Sequence, residues 1–317
     1  MNKKILFASL LFSSSFIHAQ DLTSKKGEPI LPEAGDWAIS MNADPVFEFL
    51  GNAFNGNTKN NAANTNWLSA SHTIIGKKFI NEKSAYRLML RLGFVNQTFR
   101  NMVNDDSQNG TVFTFPDKQG QVEDKYRHTA TNICLGAGKE WRKGKTRLQG
   151  YYGADIMIWI GSSKEKFSYG NKMSATNDTS ASGGSTTTSP NGTTWNTNPD
   201  SANFGMADAV GPASSRQVMN KSGMTFGIGV RGFIGAEYFI FPKIAIGAEY
   251  GLGLGYQMTG KGRRVVQEQG GAPLQVADVD YQIAGSSKFG FDTDMNQGKI
   301  FGFNNAGTAS LKITFHF

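Results

Sequence analysis

Between Met224 and Met258 nearly every second residue is apolar. Met224, Phe226, Ile228, Val230, Ile234, Ala236, Tyr238 and Ile240 hold even positions, while Thr225, Gly227, Gly229, Arg231, Gly235 and Glu237 hold odd ones. Phe241, Pro242 and Lys243 turn the chain. Ile244, Ile246, Ala248, Tyr250, Leu252, Leu254, Tyr256 and Met258 then restart the even row against Ala245, Gly247, Glu249, Gly251, Gly253, Gly255 and Gln257. Successive side chains of a strand point to opposite faces, so this is a hairpin with one apolar face and one face of glycine and charge. Each arm runs for about fifteen residues, well beyond the usual five or six and long enough for a tilted strand to cross a bilayer, which takes about nine to eleven.

The same period recurs along the chain. Strand one pairs Trp37, Ile39, Met41 and Ala43 against Ala38, Ser40 and Asn42 and stops at Asp44-Pro45, where proline interrupts a ladder. Strand two, Trp67 to Phe79, alternates weakly. Strand three, Ala85 to Arg100, sets Tyr86, Leu88, Leu90, Leu92 and Phe94 against Arg87, Met89, Arg91, Gly93 and Gln97. Strands four (Lys125 to Trp141), five (Thr146 to Ile160) and eight (Ala309 to Phe317) repeat it. Between the eight strands long and short connections alternate, with short turns at Asn81, Arg142 and Phe241. That pattern predicts an all-β chain, a transmembrane antiparallel up-and-down β-barrel with short periplasmic turns and long extracellular loops. The connection Thr259 to Lys299 contains Arg263–Gln267 and Leu274–Ile283, which either pair as a small outer hairpin or raise the count to ten strands.

The N-terminus supplies an address. Lys3 and Lys4 precede the apolar run Ile5–Leu11 and a small residue, Ala19, so residues 1–19 are expected to be a secretory signal peptide, leaving 20–317 as one domain. Asp21 to Gly35, with Pro29 and Pro32, suits a short flexible lead-in, and residues 161–222, dominated by Ser, Thr, Asn and Gly, read as a long low-complexity loop that buries little. No later stretch approaches the roughly eighteen apolar residues of a membrane helix. A mean hydropathy of −0.36 does not count against a barrel, where only alternate strand residues meet lipid. Removing Lys3 and Lys4 lowers the formal charge from +7 to +5 with no basic run, which excludes a nucleic-acid footprint and leaves a mild preference for anionic head groups. Cys134 is the single cysteine, so no internal disulfide holds the fold.

A lipocalin-like soluble barrel has the inverse pattern, and period alone does not separate the two. Strand length, the signal peptide and loop asymmetry favour the membrane form. So does a grouping of aromatic residues toward the turns (Phe79, Tyr86, Trp141, Tyr238, Phe241, Phe317) and toward the loops (Trp67, Phe99, Tyr126, Trp159, Phe226, Tyr256). With the terminal Leu311-Lys312-Ile313-Thr314-Phe315-His316-Phe317, the chain resembles the small eight-stranded outer-membrane barrels of the OmpA, OmpX and OmpW type. The resemblance implies a Gram-negative outer-membrane location, contact with outer-membrane lipids, and a C-terminal insertion signal at Phe315 and Phe317 read by the barrel assembly machinery.

The parity of the strands sends Arg87, Arg91, Arg147, Asp155, Arg231, Glu237 and Glu249 into the lumen, where opposite charges should pair because an unpaired buried ion costs several kcal/mol. Gly227-Ile228-Gly229-Val230-Arg231-Gly232 matches the dinucleotide fingerprint, but it sits inside an alternating strand with no helix after it. Asp292-Thr293-Asp294-Met295-Asn296 begins like a calcium loop and then lacks its glycine and its closing acid. His72, His128 and His316 form no triad pattern; His128 beside Thr129 and Thr131 is the candidate a lipid-modifying enzyme would need. The expected function is therefore non-catalytic, with no cofactor or metal: a surface protein whose loops serve structural, adhesion or binding roles toward an unidentified extracellular partner. A narrow porin-like channel and a lipid-modifying enzyme are the alternatives.

Overall fold

Alternation at this length leaves each strand one apolar edge-to-edge row, and strands carrying such rows gain most by pairing side by side until no edge remains. The computed structural model describes residues 23–24, 27–43, 74–108, 111–174, 193–198, 205, 207–209, 215–270, 275–292 and 310–317. Within them the strands are β1 (Trp37–Asn42), β2 (Ile74–Asn81), β3 (Ser84–Asn104), β4 (Gln121–Lys143), β5 (Leu148–Ser168), β6 (Thr193–Trp195), β7 (Ala207–Ala209), β8 (Ser215–Lys221), β9 (Thr225–Phe241), β10 (Ile244–Thr259), β11 (Gly262–Gly270), β12 (Gln275–Ile283), β13 (Ser286–Asp292) and β14 (Ser310–His316).

Eight of them close a ring of antiparallel neighbours. The order is β1-β2-β3-β4-β5-β9-β10-β14, and β14 returns to β1 through Ala38↔His316 to Asn42↔Lys312. The hairpin of Met224–Met258 is β9 and β10, in one register from Phe239↔Ala245 to Thr225↔Thr259, with a one-residue irregularity at the turn where Phe241 meets Ile244. Its turn places Lys243 at φ 63°, in the left-handed region, where His316 N–H donates to the Lys243 carbonyl at 2.7 Å. The expected pair Arg263–Gln267 and Leu274–Ile283 is the outer hairpin β11–β12 rather than two more ring strands. The expected signal peptide, Trp67 and the calcium-like loop from Thr293 onward lie outside the described residues.

Three strand lines break at one level, at Ser222–Met224 between β8 and β9, at Gly260–Lys261 between β10 and β11, and at Ala284–Gly285 between β12 and β13. A Cβ on Gly223 would stand 1.8 Å from the Gly260 carbonyl oxygen, so only glycine allows the crossing. Beyond the break β8, β11 and β12 join the upper ends of β3, β4 and β5 in a sheet that rises past the ring, in the order β12-β11-β8-β5-β4-β3. β4 alone has 23 residues, about 75 Å at the usual rise.

Four expectations are corrected here. The strands outrun their apolar rows: β5 continues to Ser168 and β4 starts at Gln121, because backbone pairing persists where the outer face is polar and the inner one carries only scattered aromatics. The stretch 161–222 is consequently not one long loop that buries little, since it holds the end of β5, β6, β7 and β8, and Trp195 is buried against Tyr126 and Phe167. The lead-in is folded over the turn end of the ring. There Ile30 is fully buried against Phe239 and Ala245, and Asp36 accepts a 2.5 Å ion pair from Lys243. Finally, Phe79, Tyr126 and Trp159 face inward and are buried, and Phe99 packs on that inner cluster, so they belong to the interior rather than to aromatic belts. Their positions follow strand parity, which outweighs their aromatic character.

Candidate functional site: a charged cluster inside the ring

The odd-numbered face of β9 and its equivalents on the other strands turn into the ring, and its largest side chains need space that the opposite strand must give up. Gly251 supplies it beneath Arg231, whose Nε would lie 2.5 Å from an added Cβ, and Gly227 does the same beneath the Trp159 ring at 2.0 Å. The glycine face of the hairpin is thus the floor on which bulky interior groups lie.

Five cations and four carboxylates meet there. Lys77 Nζ donates to Glu237 at 2.7 Å and to Glu140 at 3.0 Å, and Arg142 bridges the same two acids at 2.6 and 3.0 Å. Arg87 reaches Glu140 at 3.2 Å, Glu249 at 3.1 Å and Asp155 at 3.6 Å. Arg231 joins Asp155 at 3.3 Å to Glu249 at 2.8 Å, and Lys312 adds a 2.7 Å contact to Glu249. Every one of these side chains is at most 9% exposed. Thr314 Oγ1, 3.2 Å from Glu237 and 2.9 Å from Ser40, draws β1 into the cluster, so all eight ring strands contribute.

Aromatic faces complete the packing. The Arg87 guanidinium lies 3.7 Å from the Phe233 ring centroid, and Lys77 sits 4.8 Å from that of Tyr151. Each is a desolvated cation over a π face, worth about 2 kcal/mol in such settings. Above the cluster Ile75, Met89, Cys134, Met157 and Trp159 form an apolar layer. Cys134 is buried in it, the setting of a small strand residue.

Of the seven residues expected inside, Arg87, Asp155, Arg231, Glu237 and Glu249 are brought together. Arg91 faces inward one layer higher, opposite Cys134, apart from the ion pairs above. Arg147 is a correction: it lies in the β4–β5 turn, half-buried, donating to the Ile240 carbonyl at 3.4 Å. Strand β5 begins only at Leu148, so the inward parity of its odd positions does not extend to Arg147. Lys77, Glu140, Arg142 and Lys312 were missed. Glu140 and Lys312 occupy the polar face of their strands, where parity alone sends a side chain inward; Arg142 falls in the expected short turn, but β4 runs on to Lys143 and carries it into the ring.

The cluster is closed chemistry. Each acid is held by at least two cations, leaving no carboxylate open to a metal or proton shuttle. Among the described residues no group of three or more His, Cys, Asp or Glu is arranged for a metal. His128 points inward opposite Glu165, whereas Thr129 and Thr131 are on the outer face, so the three do not converge. His316 is wedged between Phe79 and Phe239, with ring centroids 5.4 and 5.1 Å away. The apparent dinucleotide fingerprint lies within β9, with no helix to receive a phosphate. Phe315 and Phe317 point outward at the end of β14. Comparison with protein-family models and with curated proteins returns no match.

Proposed function

We propose that the ring is an eight-stranded transmembrane β-barrel of the outer membrane, closed by its interior cluster, and that it serves as a non-catalytic platform for its loop-side sheet. The observation that carries this reading is an inside-out distribution of residues. Leu88, Phe94, Ile156 and Ile234 are each 60% or more exposed around the ring, while nine charged groups are sealed inside it. A water-soluble monomer rarely exposes a contiguous apolar patch above a few hundred Å². Lipid is the solvent that makes such a belt favourable. Outward Trp37, Tyr86, Trp141, Tyr152, Tyr238 and Phe317 gather at the turn end, where Trp141 and Tyr152 stack at 5.9 Å, as rings at a membrane interface do. The terminal phenylalanines support export through the assembly machinery by resemblance.

Interior filling favours a platform over a pore, because eight strands leave only enough width for side chains. The test combines two measurements on the full chain. Folded protein should fractionate with outer membranes and show heat-modifiable mobility, and it should give no steady current in planar bilayers. A monomer that stays in solution without detergent would overturn the membrane reading, and a stable salt-dependent conductance would replace the platform with a channel.

A further inference from the structure

On the outer face of the sheet, just beyond the apolar belt, four cations meet without a counter-charge. Arg127 of β4 is directly opposite Lys166 of β5, and Lys164 of β5 is directly opposite Lys221 of β8. All four are exposed. Directly opposed side chains have Cβ atoms about 4.5–5.5 Å apart, and like charges in that relation destabilise a sheet. Lys164 and Lys166 are two residues apart on one face, about 7 Å, so the two repulsive pairs are adjacent.

The cations bordering this block differ. Arg100 and Lys125 share Glu123 at 3.4 and 2.7 Å, and Arg263, opposite Lys221, holds Asp280 at 2.7 Å. Glu165, the acid nearest in sequence, points the other way and accepts from Tyr126 and Asn220. Among the described residues the central four have no carboxylate, and their outward neighbours are Thr98, Thr129, Ser162, Ser168 and Met219.

Height along the strand specifies the partner. Ile160 is the last apolar outward residue of β5; Lys164, level with Lys221, and Lys166, level with Arg127, follow it four and six positions later, about 13 and 20 Å along the strand and about 10 and 15 Å along the ring axis at a usual tilt. Head groups occupy about 5–8 Å beyond the hydrocarbon on each side, within reach of a lysine that bends back toward the belt. We propose that Arg127, Lys164, Lys166 and Lys221 form a docking face for the phosphate groups of an anionic lipid in the leaflet next to the loop-side sheet. The inference rests on the transmembrane reading and adds a ligand to it. Outward lysines at the opposite end are built differently: Lys78, Lys139 and Lys143 lie 4.9, 5.5 and 5.8 Å from the rings of Trp37, Trp141 and Tyr152.

The test titrates the full chain in neutral detergent micelles with bisphosphorylated lipid A or with the same lipid stripped of phosphate, counting bound lipid by native mass spectrometry. Wild type should hold the phosphorylated form at least about tenfold more tightly, given the usual contribution of each surface cation near anionic lipid. The combined Arg127→Gln, Lys164→Gln, Lys166→Gln, Lys221→Gln variant should bring that ratio to about one, whereas Lys78→Gln, Lys139→Gln, Lys143→Gln should preserve it. If the fourfold variant does not fold, Lys164→Gln with Lys221→Gln alone should lower the ratio about threefold. A wild-type ratio near one, a ratio that survives the substitutions, or full displacement of lipid by millimolar inorganic phosphate would overturn the proposal. Insertion into phosphatidylcholine vesicles, read from heat-modifiable mobility, keeps the two readings apart. Insertion without phosphate preference removes only the docking face, and failure of wild type to insert removes the barrel and the docking face together.

Discussion

Strands β4 and β5 run through two regions of the molecule with opposite polarity and no change of register. In the ring, Ile156, Ile158 and Ile160 point out and Asp155 points in; beyond it, Lys164 and Lys166 point out and Phe167 points in. On β4 the same exchange separates Leu135 outside and Glu140 inside from Arg127 outside and Tyr126 inside. The lower half is sealed by ion pairs, the upper by the stack of Tyr126 on Phe167 and Trp195, at 5.1 and 5.7 Å. Continuous backbone pairing therefore says nothing about the surroundings of a strand. The point at which the apolar face changes sides does, and in the proposed barrel it marks where lipid gives way to water.

The largest expected effect lies in the ionic half. Glu249→Ala leaves Arg87, Arg231 and Lys312 facing one another around a missing acid. Breaking a buried pair in this way should cost about 3–5 kcal/mol, read as a lower urea midpoint for unfolding in vesicles. An unchanged midpoint would mean that the cluster does not hold the ring. The outer faces make a sharper contrast: Ile158→Lys in the middle of the belt should cost about 2–4 kcal/mol in the same assay, whereas Asn96→Lys above it, opposite the uncharged Thr129, should stay within about 0.5 kcal/mol. Equal costs would erase the boundary. In the aromatic half, Trp195→Ala should act locally. Hydrogen exchange at residues 193–198 should lose about 2 kcal/mol of protection while the ring's unfolding stays put, and a matching drop in both would show the halves to be one cooperative unit.

The smallest effect is the latch at the turn end. Burial pushes the Asp36 carboxyl up, but the Glu33 amide at 2.9 Å and the Lys243 ammonium more than offset this and hold it below the ordinary aspartate value. A lowered folded pKa means that the contribution is complete above the unfolded value, about 4, and fades as pH falls through the folded one. Asp36→Asn should cost no more than about 1 kcal/mol at pH 7, and progressively less as pH falls through the lowered folded value. A variant whose destabilisation does not change with pH would show that packing, not charge, holds the latch.

How far the sequence discloses this structure follows from the same polarity exchange. Residues with a hydrophobic partner row were legible: β9 and β10 were placed almost to the residue, and Arg231, Glu237 and Glu249 were sent inward by parity. The polar continuations of β4 and β5 were not, because a strand wet on one face and lined by scattered aromatics on the other carries no clear period. Parity also held where residue type misled, since Trp159 and Tyr126 occupy inward positions despite being the rings one would assign to an interface. Ile30 had no signal at all. Its burial depends on the ring already being closed beneath it, a tertiary condition that no local pattern encodes.

Closure of the ring between β1 and β14 also sets an order of events in time. Ala38 pairs with His316, so β14 is needed to complete the contacts of β1, the first described strand. Until β14 arrives, every partly assembled sheet has two bare edges, β1 on one side and the newest strand on the other, each able to pair with a foreign strand. Loop-closure entropy for so distant a contact is met only at the end, which makes this a slow, non-local fold. A chain of this design has to be kept from its neighbours for as long as it is unfinished.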